Sequence, residues 1–310
     1  MDVAELDDLA AYLMEAATPV PGDVLARRLG LEPSALPSRL SALKALGVPI
    51  SEDGHGLRLI CTDALDARAV GSGLSDLDHP PVVEVCRVCE STNARVGGGP
   101  GPRLCLAEVQ TAGRGRRGHV WLQPFGTGLA LSYGTGLHVE RVDGLAIAMA
   151  VAVAEALAVS GFEGIGLKWP NDLYARGGKL GGVMVEAAGA PDPRLVIGVG
   201  LNVHAAPVLD GRAATALADL APAPSRNVLA VALARGMAAA LTRFQGEGFA
   251  PFAEAFARLD VLAGQPVFLA AAGNTISGVA CGIGPLGEIV LETTDGVHRY
   301  TAGEVSLGHV

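Results

Sequence analysis

"KWPNDLYARGGKLGGVMVE", residues 168–186, gives the clearest structural reading in the chain. Lys168 closes one strand, Pro170 forces an extended turn, and Asn171 and Asp172 open the next strand. The remainder reads as a hairpin turning on Gly177 and Gly178, which returns Lys179 to the level of the Pro-Asn-Asp turn. Gly181 and Gly182 follow and leave room for a flat ligand against the backbone. Lysine is a compact positive donor, so this hairpin suits a carboxylate or a phosphate.

The flanking sequence supplies the rest of a mixed sheet. "LCLAEVQT" (104–111), "GLALSYGT" (128–135) and "LVIGVGLNV" (195–203) read as strands. "DGLAIAMAVAVAEALAVSG" (143–161) reads as a buried helix, and "SRNVLAVALARGMAAALTRF" (225–244) as a long helix capped by Ser225. The last fifty residues are short strands broken by Gly-Asn, Gly-Glu and Asp-Gly, the pattern of a small β-barrel.

The first sixty residues predict three helices and a hairpin, the order of a winged helix-turn-helix. Asp23 is expected to cap the second helix and Gly30 to stop it. The third would present Arg39 and Lys44 to DNA, with Pro37 tolerated only in its first turn. These sixty residues hold nine acids against five bases, a poor balance for a phosphate backbone. The fold class is therefore α+β, with a winged helix-turn-helix over 1–62, a linker over 63–80, a catalytic domain over 81–262 and a β-barrel domain over 263–310.

Composition narrows the function. Net charge is −9 at pH 7, half the residues are hydrophobic and aromatics are 4 %. The N-terminus opens with acids, unlike a secretory signal, and the most apolar window, 145–159, is short for a membrane span and interrupted by Glu155. Five cysteines predict reduced thiols in the cytoplasm. Cys86 and Cys89 form a lone CxxC without a second pair, which favours a structural role over zinc.

Against that acidity, "TAGRGRRGHVW" (111–121) stands out. Arg114, Arg116 and Arg117 are framed by Gly113, Gly115 and Gly118, a basic loop able to approach an anion closely. It is not the GxxxxGK[ST] loop of P-loop nucleotidases. "ESTN" (90–93) offers Ser91, Thr92 and Asn93 at a helix start, Gln110 ends the strand leading into the loop, and Asn202 ends an apolar strand. Asp172 could hold a hard cation such as Mg²⁺. An anion loop, a lysine and a glycine-lined slot fit nucleotidyl transfer, with positive side chains stabilising charge on an α-phosphate.

At these residues the chain resembles the bacterial biotin–protein ligases, in particular the bifunctional class that also acts as biotin operon repressor. The resemblance rests on "STN" (91–93), "AEVQTAGRGRRGHVW" (107–121), "KWPNDLY" (168–174), "KLGGVMVE" (179–186), "GVGLNV" (198–203) and "GEVSL" (303–307). It implies a class II synthetase-like catalytic domain and an SH3-like C-terminal barrel. It also implies formation of biotinyl-5′-AMP from biotin and ATP with Mg²⁺, then transfer of biotin to a lysine of biotin carboxyl carrier protein, by a cytoplasmic homodimer, with operator DNA as a further partner in the bifunctional class. Ser91, Thr92, Asn93 and Gln110 would line the biotin pocket. Arg114, Gly115, Arg116 and Lys179 would hold biotin and the adenylate, and Lys179, Arg114 and Arg116 would be catalytic. Gly113, Arg117, Gly118, Trp121, Lys168, Gly181 and Gly182 complete the site, with Asn171, Asp172 and Asn202 on the nucleotide and metal side. The segment after Asn202 lacks the tryptophan of repressor-type members. A lipoate ligase should instead carry paired arginines before a triple glycine, and "RVGGGPG" (95–101) lacks the pair.

Overall fold

A computed structural model describes residues 2–97, 101–135, 142–188, 194–208, 213–271 and 273–307. Half of the glycine-rich loop expected over 97–102, and part of the segment after Asn202, lie outside the described residues.

Three helices lead the chain: α1 (Val3–Glu15), α2 (Gly22–Arg28) and α3 (Leu36–Ala45). Asp23 does not cap α2. The helix starts one residue earlier, so Asp23 sits in the first turn, where its charge suits the helix dipole, and pairs with Arg27 at 3.2 Å. Gly30 does end the helix, with φ 65°. Pro37 falls in the first turn of α3, where its missing N–H has no partner to lose. β1 (Ile50–Asp53) and β2 (Gly56–Leu59) pair as an antiparallel hairpin. Leu6, Leu9, Leu13, Leu25 and Leu43 form the core of this unit, and they share it with Val88, Val109 and Phe125 of the central region.

Residues 63–80 contain α4 (Ala67–Ser72), whose first turn is capped by Asp66. Leu65, Val70 and Leu74 of this stretch are fully buried in the main core.

The centre is a seven-stranded mixed sheet. Its strands are β3 (Val82–Cys89), β4 (Arg103–Gln110), β5 (Gly128–Gly134), β6 (Gly166–Lys168), β7 (Asp172–Ala175), β8 (Gly178–Ala188) and β9 (Arg194–Asn202), in spatial order β3-β4-β5-β9-β8-β7-β6. Only β3 and β4 run parallel, joined through the short helix α5 (Thr92–Val96). α6 (Leu145–Val159), α7 (Arg226–Glu247) and α8 (Ala250–Leu259) pack into the main core with the sheet. α7 is long and apolar enough to pass for a membrane span, but Leu229, Leu233, Met237, Leu241 and Phe244 are buried in the protein core.

The hairpin differs from expectation by one residue. Ala175 pairs with Gly178, and the turn is Arg176-Gly177, with φ 49° and 77°. Two positive φ values in a two-residue loop match the twist of the flanking strands. A register shift at Leu180 then puts Lys179 opposite Tyr174 and Gly182 opposite Asp172, so Lys179 and Gly182 share a face although three residues apart.

The C-terminal region is one antiparallel sheet of β10 (Pro266–Ala271), β11 (Asn274–Ile283), β12 (Ile289–Thr293), β13 (Gly296–Tyr300) and β14 (Glu304–Leu307), ordered β13-β12-β11-β10-β14. Among the described residues no ladder joins β13 to β14, so the strands form an open sheet where the sequence predicts a closed barrel. Trp169 ties it to the centre by donating from Nε1 to Gly287 O at 2.9 Å.

Candidate active site

The loop, the hairpin and the ends of β4 and β9 surround a cleft of ≈ 740 Å³. That is the size of an ordinary small-molecule site. Fifteen of the expected site residues line it: Ser91, Thr92, Asn93, Gln110, Arg114, Gly115, Arg116, Arg117, Trp121, Lys168, Asn171, Asp172, Lys179, Gly182 and Asn202. Gly113, Gly118 and Gly181 do not.

One wall is a polar chain. Ser91 precedes α5 without capping it through its side chain. Gln110 Oε1 accepts from Thr92 N at 2.8 Å and from Thr92 Oγ1 at 3.2 Å, while Ser132 Oγ donates to Thr92 Oγ1 at 2.6 Å and also contacts Asn93 Oδ1. These contacts engage Gln110 Oε1 twice and place the Ser132 hydroxyl against Asn93 Oδ1. Asn93 Nδ2 is left buried without a partner among the described residues, as is Trp121 Nε1. Buried donors are normally satisfied, so this wall is built for a ligand that presents acceptor oxygens.

The loop of residues 113–121 is a tight hairpin. Gly115 N donates to His119 O at 2.7 Å, Trp121 N to Gly113 O at 2.9 Å, and the turn at Arg117 and Gly118 has φ 54° and 77°. Gly113 serves this turn, since a Cβ there would lie 2.6 Å from Trp121 O. Each arginine is anchored: Arg114 Nη2 to Glu186 Oε1 at 3.0 Å, Arg116 Nη1 to Asn171 Oδ1 at 3.4 Å, and Arg117 Nη1 to Ala270 O at 3.3 Å. Burial, and then the charge of Arg117, pull the Arg116 pKa below its usual value. The Trp121 ring lies on Gly200, where a Cβ would come within 2.4 Å of Cε2.

Opposite the loop, Lys179 Nζ lies 2.6 Å from Asp172 Oδ1. Its backbone is held by Ala213 O at 2.9 Å and Thr215 N at 3.0 Å, and Asn202 Nδ2 donates to Thr215 O at 3.0 Å. Gly181 serves the sheet and not a ligand: a Cβ there would sit 2.5 Å from Gly200 O. Asp172 is committed to Lys179, and among the described residues no group of three or more His, Cys, Asp or Glu side chains could hold a metal. Mg²⁺ usually keeps several waters and is held by one or two carboxylates together with substrate phosphates, so the role of Asp172 toward Mg²⁺ stays an expectation. The five cysteines are free, with Cys86, Cys89 and Cys105 packed in a small cluster beside Val96 of α5.

Sequence reasoning missed Ser132, Gly198 and Gly200. Ser132 is a small hydroxyl in a buried, largely apolar strand, the same kind of signal that singled out Asn202. It also missed the pair beneath the site: Glu108 Oε2 lies 2.7 Å from Arg226 Nη1 with neither side chain exposed, and Arg226 also donates to Gly128 O at 3.1 Å.

A sheet-backed cleft with a basic loop, a lysine and unpaired donors defines an acid-activating ligase site. Residues 86–202 match the Biotin/lipoate A/B protein ligase family. The bifunctional ligase/repressor BirA of Escherichia coli is 33 % identical over 92 % of each chain. The biotin--[acetyl-CoA-carboxylase] ligase of Mycobacterium tuberculosis is 35 % identical over 65 % of this chain and 77 % of that one. A biotin protein ligase from Aquifex aeolicus, solved in complex with biotin and ATP, superposes with a TM-score of 0.65 at 26 % identity, covering 74 % of this chain and 99 % of that one. The chain belongs to the biotin protein ligases of this family.

Proposed function

We propose that the chain joins biotin to a lysine of a biotin carboxyl carrier protein at the expense of ATP. The biotin carboxylate attacks the α-phosphorus of ATP and pyrophosphate leaves, giving biotinyl-5′-AMP. The carrier lysine amine then attacks the acyl carbon, AMP leaves with the bonding electrons, and the amine gives up a proton.

The observation that carries this reading is the convergence of Lys179, Arg114 and Arg116 on a cleft that is also lined by Asn93 and Trp121, whose Nδ2 and Nε1 are unpaired among the described residues. A ureido carbonyl satisfies such donors. Lys179 and Arg116 stabilise the charge that grows on the α-phosphate, and Asp172 orients Lys179 by its ion pair. Asn171 and Asn202 border the nucleotide side. The loop shields the adenylate from water, as its anchored arginines suit. The test is direct: purified chain, biotin, ATP and a carrier domain should give a single biotin-sized mass gain on one carrier lysine. No gain would refute the assignment.

The N-terminal unit has the helix and hairpin order of a winged helix, and relatives named ligase/repressor support a second, DNA-reading role. Arg39 is a poor reader for it, because its Nη2 is paired with Glu5 Oε2 at 2.7 Å and its side chain is 17 % exposed. Lys44 remains exposed. Gel-shift against the chain's own promoter regions, with and without biotin and ATP, tests the DNA role.

A further inference from the structure

Asp7, half-buried on α1, reaches across to the central sheet. Its Oδ1 accepts from Arg87 N at 2.5 Å and from Val88 N at 2.9 Å. Both amides belong to β3, which among the described residues is an edge strand of the sheet. The ladder with β4 keeps one register on either side of Arg87, with Cys86 paired to Ala107 and Val88 to Val109. A sheet edge offers backbone donors that need partners, and here a carboxylate on α1 accepts from two successive amides. The contact is backed by apolar packing, since Leu6, Leu9 and Leu13 share one buried cluster with Val88 and Val109.

The chain just after Val88 is the wall of the cleft. Cys89 O and Glu90 O accept from Thr111 N and Ala112 N, each at 2.9 Å, and these bonds root the basic loop. Ser91, Thr92 and Asn93 then line the cleft. Arg39, meanwhile, is occupied by Glu5 on the same helix as Asp7. The helix that neutralises Arg39, one of the two basic side chains expected to read DNA, also grips the ligase domain.

We propose that Asp7 is a positioning residue for the acid-activating site. Through its carboxylate α1 sets the Cys89–Asn93 wall and the root of the basic loop, and with them the affinity for biotin. The proposal rests on the reading of the cleft as a biotin site. A merely structural anchor would change stability and leave the balance between biotin and ATP binding untouched.

The experiment compares Asp7→Ala and Asp7→Asn in the full chain, with wild-type exchange of pyrophosphate into ATP, dependent on biotin, as the control for the underlying reading. Asp7→Ala should raise KM for biotin about five- to tenfold, the effect of losing one or two hydrogen bonds, with kcat and KM for ATP within about twofold. Asp7→Asn keeps an acceptor oxygen in place and should return KM to within about twofold of wild type. Deuterium uptake, which needs no activity, should rise in Asp7→Ala at residues 87–93 and 111–121. Unchanged KM for biotin in Asp7→Ala, equal behaviour of the two variants, or faster exchange confined to the N-terminal unit would overturn the proposal. Absence of biotin-dependent exchange in wild type would instead remove the reading beneath it.

Discussion

Glu108 and Arg226 meet as an ion pair fully withdrawn from solvent, Oε2 2.7 Å from Nη1, although 118 residues separate them in sequence. Arg226 also donates from Nε to Asp63 O at 3.1 Å, and Glu108 Oε1 accepts from Leu65 N at 2.8 Å. The pair thus joins β4, the start of α7 and the stretch after the N-terminal unit. Removing one partner leaves the other with only a longer ion pair, Glu108 with Arg87 at 3.6 Å or Arg226 with Asp63 at 3.5 Å, so Arg226→Met or Glu108→Gln should each lower stability by about 3 kcal/mol, the low end for breaking a buried pair. Chemical denaturation of the two single variants and the double variant checks this. The double should lose clearly less than the sum of the singles, because the partners are coupled.

The contact between Trp121 and Gly200 makes a second prediction. A methyl group at Gly200 would meet the indole at 2.4 Å, which forces the ring off its seat. Gly200→Ala should raise KM for biotin more than KM for ATP. Tryptophan fluorescence, measured in a Trp169→Phe background so that Trp121 is the only indole, should shift in the same variant. A normal spectrum with normal kinetics would show that the ring does not border the ligand.

A third concerns pH. Burial raises the pKa of Asp260 above its ordinary value, opposed by the hydrogen bond its Oδ1 accepts from Leu262 N at 2.9 Å. A carboxyl group with a raised folded pKa costs nothing below its unfolded pKa of about 3.9 and destabilises the fold as pH rises through the folded value. Asp260→Asn keeps the acceptor and removes the charge. Its Tm should exceed that of wild type at pH 7, with the gap closing as pH falls towards the ordinary carboxylate range. A gap independent of pH would rule out ionisation as the cause.

Much of the site was legible because its parts are contiguous and chemically out of place. Arginines between glycines, a Pro-Asn-Asp turn and an amide at the end of an apolar strand contradict ordinary packing, and the structure brings Arg116, Asn171 and Asn202 to one cleft. What escaped depends on geometry between distant segments. Glu108 is an acid inside an apolar strand and so demands a partner, but nothing in the strand says that the partner is Arg226. The irregular register at Leu180 turns Lys179 and Gly182 to one side and assigns Gly181 to the sheet, a reversal that strand periodicity cannot show. Asp7 looks like one more surface acid on an amphipathic helix until β3 is laid beside it. The helices α4 and α8 were not recognised: α4, six residues long, is too short to display a repeat, whereas α8 does carry helical spacing in Phe252, Ala255 and Phe256 and was passed over.

The central claim is that Lys179, held by Asp172 against the basic loop, stabilises the charge formed when an acid is adenylated. Biotin-dependent exchange of labelled pyrophosphate into ATP measures that step alone, without a carrier protein. The account predicts robust exchange in wild type and a fall of at least roughly 10²-fold in Lys179→Ala, with thermal unfolding little changed. Exchange in Lys179→Ala within about threefold of wild type, at the same folded fraction, would contradict it.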